Sequence, residues 1–386
     1  MPVTWPVTVS SVLRVGWEAN ATSKGATDVT MTDAKRAATE VVLGVDTHLD
    51  VHVVVALDHL GRRLGELSVP TTAKGYESLV RWAEGFGAVR CAGVEGTSSY
   101  GAGIARHLKT AAIPVTEVER PKRRHLHRNS KSDSRDAESA ARAVLAGETA
   151  GVPKSADGRV EMIRALRPAR RSAVKSRTQA ANQLNQLRCL RVTAPDGLRH
   201  RLRNLSTKEL VAVAARFRLK DDPDDVLEAT RFALRSVARR YEVLSEEIAQ
   251  LDVQLDRLVV ETAPKLVSLP GIGTDHAATL LTVVGDNPER LKSEASFANL
   301  CGVSPIQASS GKVVRHRLNR GGNRDANRAL YMICLARMRR DRRTQEYVAR
   351  RTAEGKSRRE IIRCLKRYVA REVYRLLVPA ASPSAS

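Results

Sequence analysis

The sequence predicts a multidomain protein in which an α/β domain is followed by two mainly helical regions. Short apolar runs typical of strands alternate with helical patterns in the first part of the chain, the middle part is basic with long helical periodicity, and the last part joins helices through glycine-bearing turns. A chain of 386 residues is long enough for two or three domains. The predicted divisions are a disordered or leader segment 1–40, an α/β domain 41–155, a helical region 156–262 and a mainly helical domain 263–380.

The charge of the chain indicates a polyanionic partner. The formal net charge is +23, and the basic residues occur in clusters along the whole sequence. This distribution favours a folded nucleic-acid surface over a single basic arm. Aromatic residues make up only 4% of the chain, so phosphate contacts are expected to dominate over base stacking.

Cysteine usage and hydropathy predict a cytoplasmic protein. The five cysteines are scattered, show no metal-ligand spacing and suggest no disulfide framework. No apolar run approaches the roughly 20 residues that a membrane helix requires. Residues 1–30 lack the pattern of a secretory signal, and Met31 is an alternative translation start.

Strand and helix patterns alternate along residues 41–155. Predicted strands cover 41–46, 51–57, 63–69, 89–94 and 115–118, and predicted helices cover 72–86, the stretch around Ile104 and 133–147. The turn at 47–50 is typical of a hairpin. Three strands followed by alternating helix and strand predict a mixed sheet with helices on its faces.

Four carboxylates occupy positions in this domain where a site can form. Asp46 and Glu95 both lie at the carboxyl ends of predicted strands, at the sheet edge where such folds build their sites. Asp133 and Asp136 are three residues apart and share one helix face. The segment around Asp133 alone is typical of an ordinary helix start capped by Ser132 or Asp133. Together, however, the four acids could hold two divalent cations, which predicts metal-dependent nucleic-acid chemistry.

A heptad seam runs through the predicted helix 226–259. Leucine and isoleucine recur at spacings of four and three, at positions Leu244, Ile248, Leu251, Leu255 and Leu258. Such a seam packs either against another helix of the same chain, as an internal antiparallel hairpin, or against a second copy, as a dimerising coiled coil. The sequence supports both interpretations.

Two motifs distinguish the last domain. Gly271 and Gly273 flank one apolar residue between helical stretches, which resembles the hairpin of a helix–hairpin–helix unit whose N–H groups face a phosphate. Further on, Ser309 and Ser310 precede a glycine and Lys312. Serines in such loops usually only turn the chain, but beside cations one could attack a phosphodiester.

The residues predicted to contact nucleic acid are mainly basic and lie either just before Asp133 or in and around the two motifs of the last domain. They are Arg123, Arg124, Arg128, Lys131, Gly271, Gly273, Lys312, Arg315, Arg317, Arg320 and Arg324.

The order of the motifs resembles a known family. Gly-Val-Asp46-Thr-His, then Val-Glu95-Gly-Thr-Ser-Ser-Tyr-Gly, then Lys-Ser-Asp133-Ser-Arg-Asp136-Ala resembles the amino-terminal domain of the insertion-sequence-110 family of transposases. That family is named DEDD for these four acids and has a RuvC-like, ribonuclease-H-type fold. Leu-Pro-Gly-Ile-Gly, Gly-Val-Ser-Pro, Ser-Ser-Gly-Lys and Arg-Leu-Asn-Arg-Gly-Gly-Asn resemble the family's second domain.

The resemblance implies a DNA recombinase that excises and inserts its own element under the guidance of a bridge RNA. It assigns Mg²⁺ to the four acids Asp46, Glu95, Asp133 and Asp136. It also implies a serine nucleophile that becomes covalently linked to DNA, with Ser310 as first choice and Ser309 as second. A homodimer or homotetramer is expected from the heptad seam. Because the family's chains begin shortly before the first strand, Met31 is favoured as the start.

Two other functions use parts of the same pattern. A RuvC-type structure-specific nuclease would need the four acids but would hydrolyse DNA with water and would not need Ser310. A catalytically inactive nucleic-acid-binding relative would need neither, so replacing Asp46 would leave its behaviour unchanged.

Overall fold

The computed structural model describes residues 40–118, 132–148, 151–186, 196–220, 222–308, 316–319 and 321–378. Several predicted features lie outside these residues: segment 1–39 with Met31, Arg123, Arg124, Arg128, Lys131, Ser309, Ser310, Lys312, Arg315 and Arg320.

The amino-terminal domain is a five-stranded mixed sheet with helices on both faces. Its strands are β1 Glu40–Thr47, β2 Val51–Asp58, β3 Arg63–Pro70, β4 Ala88–Glu95 and β5 Val115–Val118, and its helices are α1 Ala73–Glu84, α2 Ala102–Thr110 and α3 Asp133–Leu145. The strand order is β3-β2-β1-β4-β5. The β1–β2 and β2–β3 pairs are antiparallel, whereas β1–β4 and β4–β5 are parallel. The mixed sheet predicted from the alternating patterns is therefore confirmed.

Two apolar layers enclose this sheet. On one face, α1 and α2 contribute Leu79, Ile104 and Leu108, all fully buried. On the other face, α3 packs through small side chains such as Ala137. Strand β1 is central and buried from its second residue to its end, as the continuous apolar run of its sequence predicts.

The middle region is built on a long helical hairpin. It comprises α4 Arg159–Gln186, α5 Asp196–Leu202, α6 Thr207–Ala214 and α7 Val226–Thr262. Helices α4 and α7 are antiparallel, since Gln183 accepts a hydrogen bond from Arg240 at one end and Arg159 lies 3.8 Å from Glu261 at the other. The heptad seam of α7 is buried within the chain at Ile248, Leu255 and Leu258. The internal-hairpin interpretation thus describes this seam, and coiled-coil dimerisation stays a prediction.

The carboxy-terminal region is mostly helical. It comprises α8 Pro264–Val267, α9 Thr274–Val284, a 3₁₀ turn Pro288–Arg290, α10 Glu294–Leu300, the two-residue strands β6 Ile306–Gln307 and β7 His316–Arg317, and helices α11 Arg324–Arg340, α12 Arg342–Ala353 and α13 Arg358–Leu377. Its core also takes in the ends of the long hairpin, with Ile163 from α4 and Leu258 from α7. The predicted helix–hairpin–helix is only partly matched, because its first helix, α8, is a single turn of four residues.

Hydrogen bonds from the α9–α10 connection hold the segment that leaves the sheet domain. The carboxylate of Asp286 accepts from the backbone N–H groups of Val160 at 2.7 Å and Glu161 at 3.1 Å, at the start of α4. Lys154 donates to the carbonyl of Thr282 at 2.6 Å. These bonds link the exit of the sheet domain to the carboxy-terminal region. Among the described residues, no helix is both long enough and apolar enough to span a membrane.

Candidate metal centre

Two acids lie side by side where the central parallel strands end. Strands β1 and β4 are paired in register up to Val45 and Val94, so the next residue of each strand, Asp46 and Glu95, reaches the same edge. Both acids are only 4% exposed. The Thr47 hydroxyl donates to the carbonyl of Glu95 at 3.1 Å and ties the two strand ends together. This edge of the sheet therefore carries two acids in a partly desolvated setting.

Helix α3 reaches this edge because glycines lie beneath it. A β-carbon on Gly44 of β1 would lie 1.9 Å from the carbonyl oxygen of Ala137 and 2.5 Å from the backbone nitrogen of Ala141. On β4, a β-carbon on Gly93 would lie 2.7 Å from the carbonyl oxygen of Ala140. Only glycine permits so close an approach of helix and sheet backbone. The amino-terminal end of α3 is thereby set against Asp46.

Replacing Gly44 by Ala is expected to disrupt the site without removing any of its acids. The new methyl group would have to displace the backbone of α3, and a shift of about 1 Å in a catalytic group can cost roughly 100-fold in rate. The measurement is DNA cleavage together with divalent-metal binding by the purified variant. Gly197→Ala serves as the control, because nothing lies within 4 Å of a β-carbon there. Unchanged metal binding by Gly44→Ala would contradict this role of the close packing.

The other two acids of the tetrad lie in the first turn of α3. The Ser132 side chain caps the helix by accepting from the N–H of Arg135, so the predicted capping role is confirmed. Asp133 is half exposed and Asp136 is partly buried. Both carboxylates meet the positive end of the helix dipole, which favours negative charge there.

The charges of this group act on one another. Burial raises the pKa of Asp46 above its usual value, and the negative charges of Asp133 and Asp136 add to the rise, while His48 opposes it. The ionised form of Asp46 is therefore disfavoured until a cation is near. The structure thus brings Asp46 and Asp133 together at His48 and places Asp136 near enough for its charge to act on Asp46, and metal binding by these acids stays a prediction.

His48 also belongs to the site, although sequence reasoning did not assign it a role. Its Nε2 atom lies 3.2 Å from Oδ2 of Asp46 and 3.3 Å from Oδ2 of Asp133. That nitrogen is buried, and neither contact has the geometry of a hydrogen bond. The feature of the sequence that points to His48 as a site residue is its position two residues after Asp46, in the turn that follows β1.

Buried side chains hold the turn that carries His48 in place. The backbone N–H of His48 donates to Nδ1 of His52 at 3.3 Å, and Nε2 of His52 lies 3.4 Å from the hydroxyl of Tyr76. His52 is fully buried, and burial lowers the pKa of its imidazole. A neutral ring that accepts at Nδ1 carries its proton at Nε2, towards Tyr76.

The donor atoms of this group fit a divalent cation. One oxygen from Asp46, one from Asp133 and a ring nitrogen of His48 all lie within 4.8 Å of one another. Carboxylates and imidazole are ordinary metal ligands, and an Nε2 atom that is buried without a hydrogen bond is suited to coordination. Glu95 lies at the adjoining strand end and Asp136 one helical turn along α3 from Asp133.

The segment around the predicted serine loop is anchored at its base. Asn319 donates to the side-chain oxygen of Asn299 at 2.7 Å, and Asn327 donates to the carbonyl groups of Cys301 and Gly302 at 3.0 Å each. These bonds join the flanks of the loop to the end of α10. The two serines themselves lie outside the described residues.

Four predicted nucleic-acid contacts can be placed. Arg317 lies on β7 and Arg324 begins α11, both exposed. Gly271 has φ +75°, which favours glycine, and Gly273 precedes α9 without a side-chain cap. The start of α9 thus presents free N–H groups, as the hairpin prediction requires, and phosphate binding there stays a prediction.

A mixed sheet with two acids at adjacent strand ends, two more on a packed helix and a strongly basic chain defines the class of DEDD-type proteins with a ribonuclease-H-like domain. Two family models match the chain. One, described as a transposase of the DEDD type, covers residues 43–195, and the other, described as the transposase IS116/IS110/IS902 family, covers residues 263–349. Together they cover more than half of the chain, which belongs to the IS110 family of transposases.

Two curated proteins are similar to the chain. An uncharacterised 43.6 kDa protein of insertion element IS110 from Streptomyces coelicolor is 32% identical over 135 residues, which is 34% of this chain and 33% of that protein. The transposase for insertion sequence element IS1328 from Yersinia enterocolitica is 26% identical over 256 residues, 65% of this chain and 71% of that protein. The first match thus spans about a third of the Streptomyces protein.

Proposed function

We propose that the protein is a DNA transposase that cuts and rejoins DNA to move an insertion sequence, using Mg²⁺ at the acid tetrad. The observation that carries the proposal is the convergence of Asp46, His48 and Asp133 at one edge of the sheet in a chain of net charge +23. Family membership supports the reaction class, and the donor set supports a divalent cation.

Each acid has a defined part in this proposal. Asp46 and Asp133 would hold the cation, with Glu95 and Asp136 completing the site. At such a site a divalent cation supplies charge stabilisation for the phosphodiester and an oriented scissile phosphate. The low exposure of Asp46 and Glu95 strengthens these interactions, because little water screens them.

Bond exchange is assigned to Ser310, with Ser309 as second choice. Its hydroxyl oxygen would form a bond to the scissile phosphorus while the bond to the deoxyribose oxygen breaks. The serine loses its proton and the departing sugar hydroxyl gains one. Rejoining runs the same exchange in reverse, with a DNA hydroxyl attacking the phosphoserine, so the energy of the phosphodiester is conserved.

The partners proposed are DNA, a bridge RNA and further copies of the chain. A net charge of +23 suits two nucleic acids bound at once, and binding should weaken steeply as salt rises. A homodimer or homotetramer remains part of the proposal, as does action on cytoplasmic, nucleoid-associated DNA.

Incubation of the purified protein and its co-purifying RNA with donor and target plasmids tests this function. In Mg²⁺ we expect joined donor–target products, and in EDTA none. Cleaved DNA with free ends and no joined product would instead favour a RuvC-type nuclease. Binding without any change in the DNA would favour an inactive relative.

Replacing His48 by Ala is expected to weaken Mn²⁺ binding roughly tenfold and Mg²⁺ binding less, because imidazole is a better ligand for Mn²⁺ than for Mg²⁺. Calorimetric titration of the protein with each metal measures the effect. His59→Ala, in the exposed turn after β2, is the matched control. Equal losses for both metals would mean that His48 does not coordinate the cation.

A further inference from the structure

A cleft rich in arginine lies between the long hairpin and the carboxy-terminal helices. The cleft has a volume of about 400 Å³ and is lined from α4 by three arginines, from the start of α9 and from the start of α11. Its charged lining consists of Arg167, Arg170, Arg171, Arg328, Asp275 and Asp325.

Two of the arginines are already paired with acids. Arg170 pairs with Asp252 and lies 3.6 Å from Asp275, and Arg171 lies 3.6 Å from Asp325. Hydrogen bonds to Asp252 hold the Arg170 guanidinium, whereas Arg171 and Asp325 are both more than half exposed.

The other two arginines form no ion pair with a carboxylate of the described residues. Arg167 is partly buried and donates to the hydroxyl groups of Thr279 at 2.5 Å and Thr282 at 3.1 Å. Burial lowers the pKa of its guanidinium, the charges of Asp275 and Asp325 oppose this shift, and those of Arg171 and Arg170 act in the same direction as burial. Arg328 is exposed on the first turns of α11. The cleft therefore contains positive charge that an anion could neutralise.

The backbone of the surrounding helices adds to this positive field. Helix α9 begins at Thr274 without a side-chain cap, and its first turn, with Asp275 and His276, lines the cleft. Helix α11 also starts at the cleft, directly after the segment that carries the predicted serine loop. Helix N-termini favour anions, and arginine forks match phosphate oxygens.

We propose that this cleft binds the phosphodiester backbone of a nucleic acid, with Arg167 and Arg328 as the contacts and Arg171 as a third. The proposal rests on the proposed function for its choice of nucleic acid as the anion. The cleft opens beside the start of α11. Asp275 and Asp325 limit the affinity of the cleft for nucleic acid, since they compete with phosphate for Arg170 and Arg171.

The first test replaces Arg328 by Ala and measures binding to labelled duplex DNA and to single-stranded RNA by fluorescence anisotropy in EDTA at several salt concentrations. We expect roughly tenfold weaker binding at low salt and a salt slope smaller by about 1. Arg342→Ala is the control, because it removes the same charge from a side chain that is 93% exposed on α12, outside the cleft.

A second variant is expected to bind nucleic acid more tightly, and a misfolded protein would not show this gain in affinity. Asp325→Asn removes a carboxylate that competes for Arg171, so binding should become several-fold tighter. Losses with one nucleic acid and not the other would assign the cleft to DNA or to RNA. Arg328→Ala and Asp325→Asn isotherms that both match the Arg342→Ala control would overturn the proposal. Because EDTA prevents metal-dependent reaction, an inactive metal centre would not alter this result.

Discussion

An Asp46→Asn variant is expected to lose DNA cleavage by at least roughly 1,000-fold while remaining folded. Asp46 is the most buried ligand of the group that meets His48 and Asp133, so its amide would leave the cation with a weakened site. A thermal-shift titration with Mg²⁺ distinguishes a loss of metal binding from a loss of folding. The wild-type protein should gain about 2.7 kcal/mol of stability when the metal is at about 100 times its Kd, and the variant almost none.

Without metal, the same variant should be at least as stable as the wild-type protein. Burial and the neighbouring acids raise the pKa of Asp46, which means that its charged form destabilises the metal-free fold near neutral pH. Asp50→Asn, an exposed change in the same turn, is the control and should retain both cleavage and the metal-induced shift. A normal metal-induced shift in Asp46→Asn would place the cation elsewhere.

A Ser310→Ala variant is expected to lose the covalent protein–DNA adduct completely while keeping metal binding. Removing the hydroxyl removes the atom that the proposal chooses first to form the bond to phosphorus. Incubation with labelled element DNA and Mg²⁺, denaturation and peptide mapping of any linked residue measure this directly.

Ser309→Ala is the matched control because it deletes the same group one residue earlier. Adduct formation by Ser309→Ala but not by Ser310→Ala would assign the nucleophile, and the reverse result would move the assignment to Ser309. Cleavage that survives in both variants would favour water as the nucleophile, as in a RuvC-type nuclease.

The sheet domain was largely predictable because each of its signals is local. Apolar runs in β1, β2 and β4 are buried strands, and parallel pairing brings the acids at the ends of β1 and β4 to the same edge of the sheet. The close approach of α3 was not predicted. It depends on Gly44 meeting the backbone of Ala137, a tertiary contact between segments about 90 residues apart that no periodicity reveals.

Other features of the structure could not be predicted from the sequence, each for a different physical reason. No sequence pattern assigns a role to His48, since only the folded turn brings its ring between Asp46 and Asp133. Helix α12 has no hydrophobic period in its sequence, because Thr344 is its only buried residue among those described. The heptad seam of α7 is visible in its own sequence. Which helix packs against the seam depends on how the rest of the chain folds, and in the structure that helix is α4.

The most direct test of the metal centre is anomalous X-ray diffraction from crystals of the protein soaked in Mn²⁺. The account predicts a peak at the edge of the sheet where β1 and β4 end, bounded by Asp46, His48 and Asp133, with oxygen ligands at about 2.0–2.6 Å. A saturated soak with no peak among these residues, or with ordered Mn²⁺ bound only elsewhere on the chain, would contradict it.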